Sequence, residues 1–263
     1  MIEKLRFVRG ILCDIDGTLY FKGRVIPYAI ETVSYLRDKG YKIVFLTNTD
    51  SKTPHEVVNT MLNYGFSVKP DDVFTPIIAI KEYLSQFPDK KSYFLVSEQV
   101  KPEFKTFSQV SEGETPDFVV ISDFSDDWRI ERLNTAFNYV LKGAKLIGSQ
   151  GNSYFLDRDG NPKIDTGALI RMVADAAQVK PLILGKPNAD YFKLALKKID
   201  IDSNKAIIIG DDIESDIKGA ENAGIRGFLV ETGKGQKQFQ KNFLSKIEPF
   251  LTLKTFSELR NLL

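Results

Sequence analysis

Two short acidic runs hold the residues most suited to chemistry. Asp14-Ile15-Asp16-Gly17-Thr18 follows an apolar segment that begins at Val8, and Gly210-Asp211-Asp212-Ile213-Glu214-Ser215-Asp216 follows the apolar segment Ala206–Ile209. Open parallel sheets hold ligands outside the carboxyl ends of their strands, which is where both runs fall. Asp14 and Asp16 project to the same side of extended backbone, within reach of one metal ion or one substrate, and Gly17 lets the chain turn sharply after them. Like charges this close repel unless a cation or a shared proton compensates, a cost that an ordinary acidic turn leaves unexplained. Magnesium takes few carboxylates together with water and phosphate oxygens, so Asp14, Asp211 and the carbonyl of Asp16 form a suitable donor set. The plainer account of the second run is helix capping by Asp211 or Asp212, with Glu214 and Asp216 as first-turn acids. Capping explains some of these carboxylates but not the parallel with Asp14.

Two more segments sit at matching places. Leu46-Thr47-Asn48-Thr49 ends a strand-like run, where a hydroxyl, an amide and free backbone N–H groups suit an anion's oxygens. Gly185-Lys186-Pro187 follows strand-like Leu182 to Leu184, and a lysine beside carboxylates and a phosphate neutralises charge and orients a nucleophile. Each has an ordinary reading alone, a polar turn and a solvated lysine; four such strand ends in order are harder to explain that way.

The elements that must position these groups follow from periodicity. Val8 to Asp14 suits a buried parallel strand, Ala29 to Lys39 has helical spacing and stops at Gly40, and Lys42 to Leu46 is the next strand. Thr53-Pro54-His55-Glu56 is a capping box opening a helix that ends near Gly65. Toward the C-terminus come the strand Leu182 to Leu184, a helix around Tyr191 to Lys198, the strand Ala206 to Ile209, a helix around Ser215 to Ala223 and the strand Gly227 to Val230. The two halves read as one interrupted sheet. Between them the pattern is looser, with strand-like Ser92 to Val96 and Phe118 to Ile121, a helix at Glu131 to Leu141 and another after Thr166. The expected organisation is an α/β Rossmannoid core, a doubly wound parallel sheet from residues 1–77 and 180–263, with an α/β cap inserted at 78–179.

Composition narrows the chemistry further. The chain has 263 residues, with 36 Lys+Arg against 35 Asp+Glu for a net charge of +1, so no overall field draws it onto nucleic acid or an anionic membrane. One histidine, His55, excludes histidine pairs, and one cysteine, Cys13, excludes an intrachain disulfide and a multi-thiolate metal cage. Cys13 alternates away from Asp14 toward the core, His55 reads as an exposed helix-start residue, and Trp128 as a domain-edge side chain. Thr232-Gly-Lys-Gly-Gln236 reads as a turn and Lys234 to Lys241 as a solvated face. No apolar run reaches membrane-spanning length and no signal-peptide core is present, so the expected location is cytoplasmic.

In their order along the chain, DIDGT, LTN, GKP and GDDIESD resemble the four motifs of the haloacid dehalogenase superfamily. The long insertion between LTN and GKP, together with Thr53-Pro-His-Glu56, Val73-Phe-Thr-Pro76 and Asp165-Thr-Gly-Ala168, resembles the C2-capped, NagD-like branch that includes p-nitrophenyl phosphatases. The resemblance implies magnesium-dependent hydrolysis of small-molecule phosphate monoesters through an aspartyl-phosphate. It implies Asp14 as nucleophile, Asp16 as general acid and then base, Thr47 and Asn48 as the phosphoryl grip, and Lys186 as the link between Asp14 and the phosphate. Asp211 would complete a Mg2+ site with Asp14 and the Asp16 carbonyl, with Asp212 and Asp216 supporting it. An acid at position 16 favours phosphatase or phosphomutase chemistry over dehalogenation, and the short stretch from Thr18 to the first helix lacks the small helical cap of most phosphomutases. The TNTDSK text departs from the TNNS-like pattern, which leaves Thr49 and Asp50 without an implied role. Gly151, Asn152, Thr166 and Gly167 are candidates for the border of the substrate pocket. Many capped relatives dimerise through the cap, so a homodimer is the assembly the resemblance offers. The rival readings are a phosphotransferase using the same intermediate and a non-enzymatic phospho-ligand-binding protein.

Overall fold

The structure is a computed structural model that describes residues 5–157, 159–236 and 247–263. From the N-terminus, β1 (Gly10–Asp14) leads through a small hairpin, β2 (Tyr20–Phe21) and β3 (Arg24–Val25), into α1 (Ala29–Asp38), β4 (Lys42–Leu46), α2 (Pro54–Asn63), β5 (Val73–Phe74) and α3 (Pro76–Leu84). The middle of the chain supplies β6 (Ser92–Leu95), β7 (Phe118–Ile121), α4 (Ile130–Leu141), β8 (Lys145–Gly148), a second hairpin of β9 (Tyr154–Leu156) and β10 (Pro162–Ile164), α5 (Thr166–Ala177) and β11 (Leu182–Ile183). The C-terminal part adds α6 (Ala189–Ile199), β12 (Ala206–Gly210), α7 (Lys218–Ala223), β13 (Arg226–Val230) and β14 (Leu251–Leu253).

Among the described residues, six strands form one parallel sheet in the order β14-β13-β12-β1-β4-β5. Parallel sheets are covered on both faces, which is why β1, β4 and β12 are nearly continuous apolar runs. Their alternate residues divide accordingly. Ile11, Cys13, Phe45, Ile207 and Ile209 pack with Val33 and Leu36 of α1, Val57 and Met61 of α2, and the C-terminal Phe256 and Leu259. Leu12, Val44, Leu46 and Ile208 pack on the other side with Ile77 and Ile80 of α3, Tyr191 and Phe192 of α6, and Ala220 of α7.

A second parallel sheet, β11-β8-β7-β6, comes from the middle of the chain. Its inner face, with Phe118, Val120 and Ile147, joins the cluster that covers the first sheet. Its outer face, with Val119, Ile121 and Leu146, is covered by Leu133, Ala136 and Val140 of α4 and by Ile170 and Val173 of α5. The architecture is the expected α/β core with an inserted α/β cap.

The fold departs from the sequence reading in particular elements. Leu182–Ile183 pairs with Ile147 and Gly148 in the second sheet, not in the core sheet. A two-residue, half-exposed edge strand has no periodicity to show which sheet it joins. The second acidic run opens in a π-helical turn at Ile213–Ile217, and α7 is correspondingly short. Helix α3, strands β8 and β14 and the hairpin β9–β10 were not read from the sequence. The capping box is present as expected: the Thr53 side chain accepts from Glu56 N, and Glu56 reaches back to Thr53 N at 2.9 Å. Of the Lys-rich stretch Lys234 to Lys241, residues 237 onward lie outside the described residues. Among the described residues no helix is long and apolar enough to cross a membrane.

Tyr191 connects packing to the site. Its fully buried hydroxyl donates to Thr47 O at 2.8 Å and Phe74 O at 2.7 Å, pinning the loop after β4 to the end of β5. Tyr191→Phe is expected to lower the unfolding free energy by about 1–3 kcal/mol, the cost of leaving a buried carbonyl unpaired. Urea denaturation checks this, with a lower midpoint and an unchanged slope.

Candidate active site

The site lies at the carboxyl ends of three neighbouring strands, β12, β1 and β4, which deliver Asp211, Asp14 and Thr47. The fourth segment arrives from the second sheet: β11 leads into Gly185, and Lys186 reaches across to the end of β1. Lys186 Nζ lies 2.5 Å from Asp14 Oδ1 and 2.6 Å from Asp216 Oδ1, with all three side chains buried. The other Asp14 oxygen accepts from Thr18 Oγ1 at 2.8 Å. Asp14 is therefore held at both oxygens, and the π-helical turn after Asp212 delivers Asp216 to the same lysine.

Asp14, Asp211 and Asp216 each place one oxygen within 4.8 Å of the others. Asp212 is the helix cap foreseen as the plainer reading, its Oδ1 accepting from Glu214 N at 2.9 Å and Ser215 N at 3.2 Å. Its second oxygen does something else, pairing with Lys234 Nζ at 2.6 Å. Lys234 N donates to Asp211 Oδ2 at 2.6 Å, and its ammonium also reaches Tyr154 O of the cap hairpin at 2.9 Å. Lys234 is thus a part-buried, paired residue and not the solvated lysine expected. Glycines explain how its turn comes so close: Gly17 (φ +90°) and Gly233 (φ +50°) are places where a Cβ would collide with the Asp211 carboxylate.

Four buried carboxylates, Asp14, Asp211, Asp212 and Asp216, face two ammonium groups, Lys186 and Lys234, leaving a deficit of two positive charges. The electrostatics reflect this. Burial, and then Asp14, Asp216 and Asp212, raise the Asp211 pKa well above the usual carboxylate range, and burial lifts Asp216 to about 7 against the pull of Lys186. Burial opposes the charge on Lys186, yet Asp14 and Asp216 outweigh it and raise its pKa. Burial also works against the Asp212 anion, but Lys234 prevails and lowers its pKa. An all-oxygen donor set short of two positive charges fits a hard divalent cation.

The other predicted residues take distinct places. The Asp16 carboxylate stands outside the three-oxygen cluster, on an exposed residue, and accepts from Thr49 Oγ1 at 3.2 Å. Although it faces solvent on one side, the protein packed around it, and then Asp14, raise its pKa. Thr47 Oγ1 donates to Thr49 Oγ1 at 2.8 Å and accepts from Thr49 N at 2.9 Å. Asn48 is more committed than a bare phosphate grip: it accepts from Lys186 N at 2.8 Å and donates to Lys186 O and Asn152 Oδ1, each at 3.1 Å. It therefore ties the Lys186 loop and the cap loop to β4. Of the candidate border residues, Asn152 is brought to the site through this bond, and Gly151 N donates to Lys186 O at 3.1 Å. Cys13 is buried in the core, His55 is exposed beside Asn59, and Trp128 is half-exposed and stacked on Phe124. Sequence reasoning missed Lys234 and Thr18. The signal for Lys234 was a pair of glycines flanking a lysine directly after a core strand.

An α/β fold with carboxylates and two lysines gathered at the strand ends of a parallel sheet, roofed by an inserted cap, is the class that fold and geometry define. Residues 11–108 match the family described as haloacid dehalogenase-like hydrolase, and residues 183–259 match a second, HAD-hydrolase-like one. The phospholysine phosphohistidine inorganic pyrophosphate phosphatase of Homo sapiens is 30% identical over 237 residues, 88% of this chain and 86% of its own. The haloacid dehalogenase-like hydrolase domain-containing protein 2 of Bos taurus is 30% identical over 95% of this chain and 94% of its own. Among solved structures, the 4-nitrophenylphosphatase of Thermotoga maritima has a TM-score of 0.88 at 28% identity, covering 98% of both chains. NagD of E. coli has a TM-score of 0.80 at 26% identity, covering 95% of this chain and 98% of its own. The chain belongs to the haloacid dehalogenase-like hydrolases.

The raised pKa of Asp211 gives a stability prediction with a definite sign. Its folded pKa exceeds its unfolded one, so at neutral pH the metal-free fold bears the cost of holding this group ionised or protonated. Asp211→Asn is expected to raise Tm without metal. Magnesium at about 100 times its Kd should raise the parent's Tm by roughly 5–10 °C and leave Asp211→Asn unmoved. Differential scanning calorimetry with EDTA or magnesium checks both.

Proposed function

We propose that the chain is a magnesium-dependent phosphatase that hydrolyses small-molecule phosphate monoesters, such as sugar, nucleotide or short-chain phosphates, through an aspartyl-phosphate. The division of labour would follow a core of 1–77 and 180–263 and a cap of 78–179, with β11 lending an edge strand to the cap sheet. The observation that carries the reading is the contrast between Asp14, clamped by Lys186 and Thr18, and Asp16, free of that clamp, exposed and raised in pKa. One carboxylate is held as a nucleophile and the other is poised to carry a proton.

In this mechanism an Asp14 oxygen attacks phosphorus in line, and the bond from phosphorus to the leaving oxygen breaks. Asp16, whose pKa the protein packed around it and Asp14 raise, acts as the general acid and gives a proton to that oxygen. The Asp16 carboxylate then takes a proton from water, whose oxygen attacks the aspartyl-phosphate, releasing phosphate and restoring Asp14. Thr47 would contact the phosphoryl oxygens, with Asn48 beside it holding Lys186 in register. Lys186 neutralises charge between Asp14 and the phosphate. Asp14, Asp211 and the Asp16 carbonyl would hold the magnesium ion, with Asp212 and Asp216 in support. When bound, that ion supplies positive charge to the site and to the phosphate. Resemblance to 4-nitrophenylphosphatase and NagD structures supports the substrate class.

Phosphate release from p-nitrophenyl phosphate and a panel of alkyl, sugar and nucleotide phosphates tests the proposal. Asp14→Asn should abolish turnover. Asp16→Asn should slow alkyl phosphates by about 10²–10⁴-fold, the usual worth of general acid–base catalysis. The defect in the first step should be smaller for p-nitrophenyl phosphate, whose leaving group departs without a proton, so phosphoenzyme should accumulate. A folded, magnesium-binding parent that releases no phosphate from any of them would falsify the reading.

A further inference from the structure

Asp50 is a buried carboxyl, 4% exposed, that the phosphoryl-transfer chemistry does not use. It closes the segment Thr47-Asn48-Thr49-Asp50, yet its own bonds run across the seam to the cap. Ser122 Oγ donates to Asp50 O at 2.8 Å, and Ser149 Oγ donates to its side-chain Oδ2. Ser122 follows β7 and Ser149 follows β8, the two central strands of the cap sheet. Both serines are fully buried and fixed by sheet bonds of their own, Ser122 N to Leu95 O and Ser149 N to Ile121 O, each at 3.0 Å. Asp50 thus grips the ends of two rigid strands at once.

We propose that Asp50 is a positioning residue that seats the cap on the phosphate-binding loop. The proposal rests on the phosphatase reading only in taking Thr47–Thr49 as that loop. Thr49 touches Asp16, and Asn48 touches both Lys186 and the cap residue Asn152, so a shift at Asp50 is passed directly to three groups of the site.

The surroundings fix the form in which Asp50 does this. Facing it are the carboxylates of Asp165 at the head of α5 and Asp123 after β7, with the hydroxyls of Ser149 and Thr166. Lys52 on its own loop acts on Asp16 and Glu56, and Lys234 acts on Asp165 from the other side of the seam. Burial and then Asp165 push Asp50 up to about 8, so the seated side chain is neutral at pH 7. Unseated in water, the same carboxyl would ionise in the ordinary carboxylate range. Seating therefore takes up a proton, weakens as pH rises toward 8, and levels off above it.

Amide exchange at Gly151, whose N–H crosses to Lys186 O at 3.1 Å, reads the seam without turnover. With magnesium present and intrinsic rates corrected, parental protection is expected to fall with pH between 6 and 8, by up to about tenfold per unit, the linkage of one proton. Asp50→Asn keeps the shape and a hydrogen bond but does not ionise, so its protection should fall less steeply with pH; Asp165, whose pKa burial also raises, still titrates in both proteins. Ser149→Ala should lower protection at pH 6 and raise KM for p-nitrophenyl phosphate more than it lowers kcat. Equal slopes for parent and Asp50→Asn overturn the proposal, as do parental protection and KM in Ser149→Ala. Failure of the phosphatase reading would appear separately, as absent turnover in a parent whose exchange still follows the expected slope.

Discussion

Charge crowding at the ends of β1 and β12 is the constraint on which the rest of the structure depends. Asp14, Asp211, Asp212 and Asp216 are buried close together, and two lysines neutralise only half of their charge. Buried anions are tolerated only when paired, hydrogen-bonded or bound to a cation. Local features follow from this. Thr18 holds one Asp14 oxygen, the π-helical turn brings Asp216 onto Lys186, and backbone N–H groups of residues 214 and 215 satisfy Asp212. Gly17 and Gly233 clear space for the Asp211 carboxylate. Removing any one of these partners leaves an uncompensated buried charge, which costs more than an ordinary surface contact.

Both lysines are delivered by segments that connect the core sheet to the inserted part of the chain. Lys186 follows an edge strand of the second sheet, and Lys234 sits on a turn after β13 while its ammonium reaches the β9–β10 hairpin. Neutralising the nucleophile's surroundings and tying the inserted part to the core are therefore accomplished by the same two residues, Lys186 through its backbone and Lys234 through its ammonium. The shared hydrophobic cluster supplies area for this docking, but apolar contacts are non-directional. Directionality comes from the polar ties of Asn48 to Asn152, Gly151 to Lys186 and Lys234 to Tyr154.

Much of this was legible in the sequence because it is local. β1, β4, β12 and β13 are long enough for their apolar runs to be read, and Thr53-Pro54-His55-Glu56 carries its capping box in four residues. The carboxylates were legible because a strand end is a topological position as well as a local one. What escaped depends on long-range pairing. Leu182–Ile183 is too short to declare its sheet, and Lys234 resembles the lysines after it until the fold places Asp212 beside it. The closeness of Asp216 to Asp14 and Asp211 escaped for a similar reason, because the π-helical turn that presents Asp216 has no sequence period of its own.

Asn48 shows how one residue type supports two readings that geometry then separates. An amide at a strand end suits an anion, which is why Thr47 and Asn48 read alike in sequence. In the fold the Asn48 side chain accepts from Lys186 N, and its amide nitrogen donates to Lys186 O and Asn152 Oδ1. Those bonds use both ends of the amide, its donor nitrogen included, while Thr47 keeps a hydroxyl whose partner Thr49 reaches Asp16. The second strand end thus splits into a hydroxyl pair directed toward the acid and an amide directed toward the lysine. That split explains how a loop between β4 and α2 can influence the clamped carboxylate and the exposed one together, although neither belongs to it.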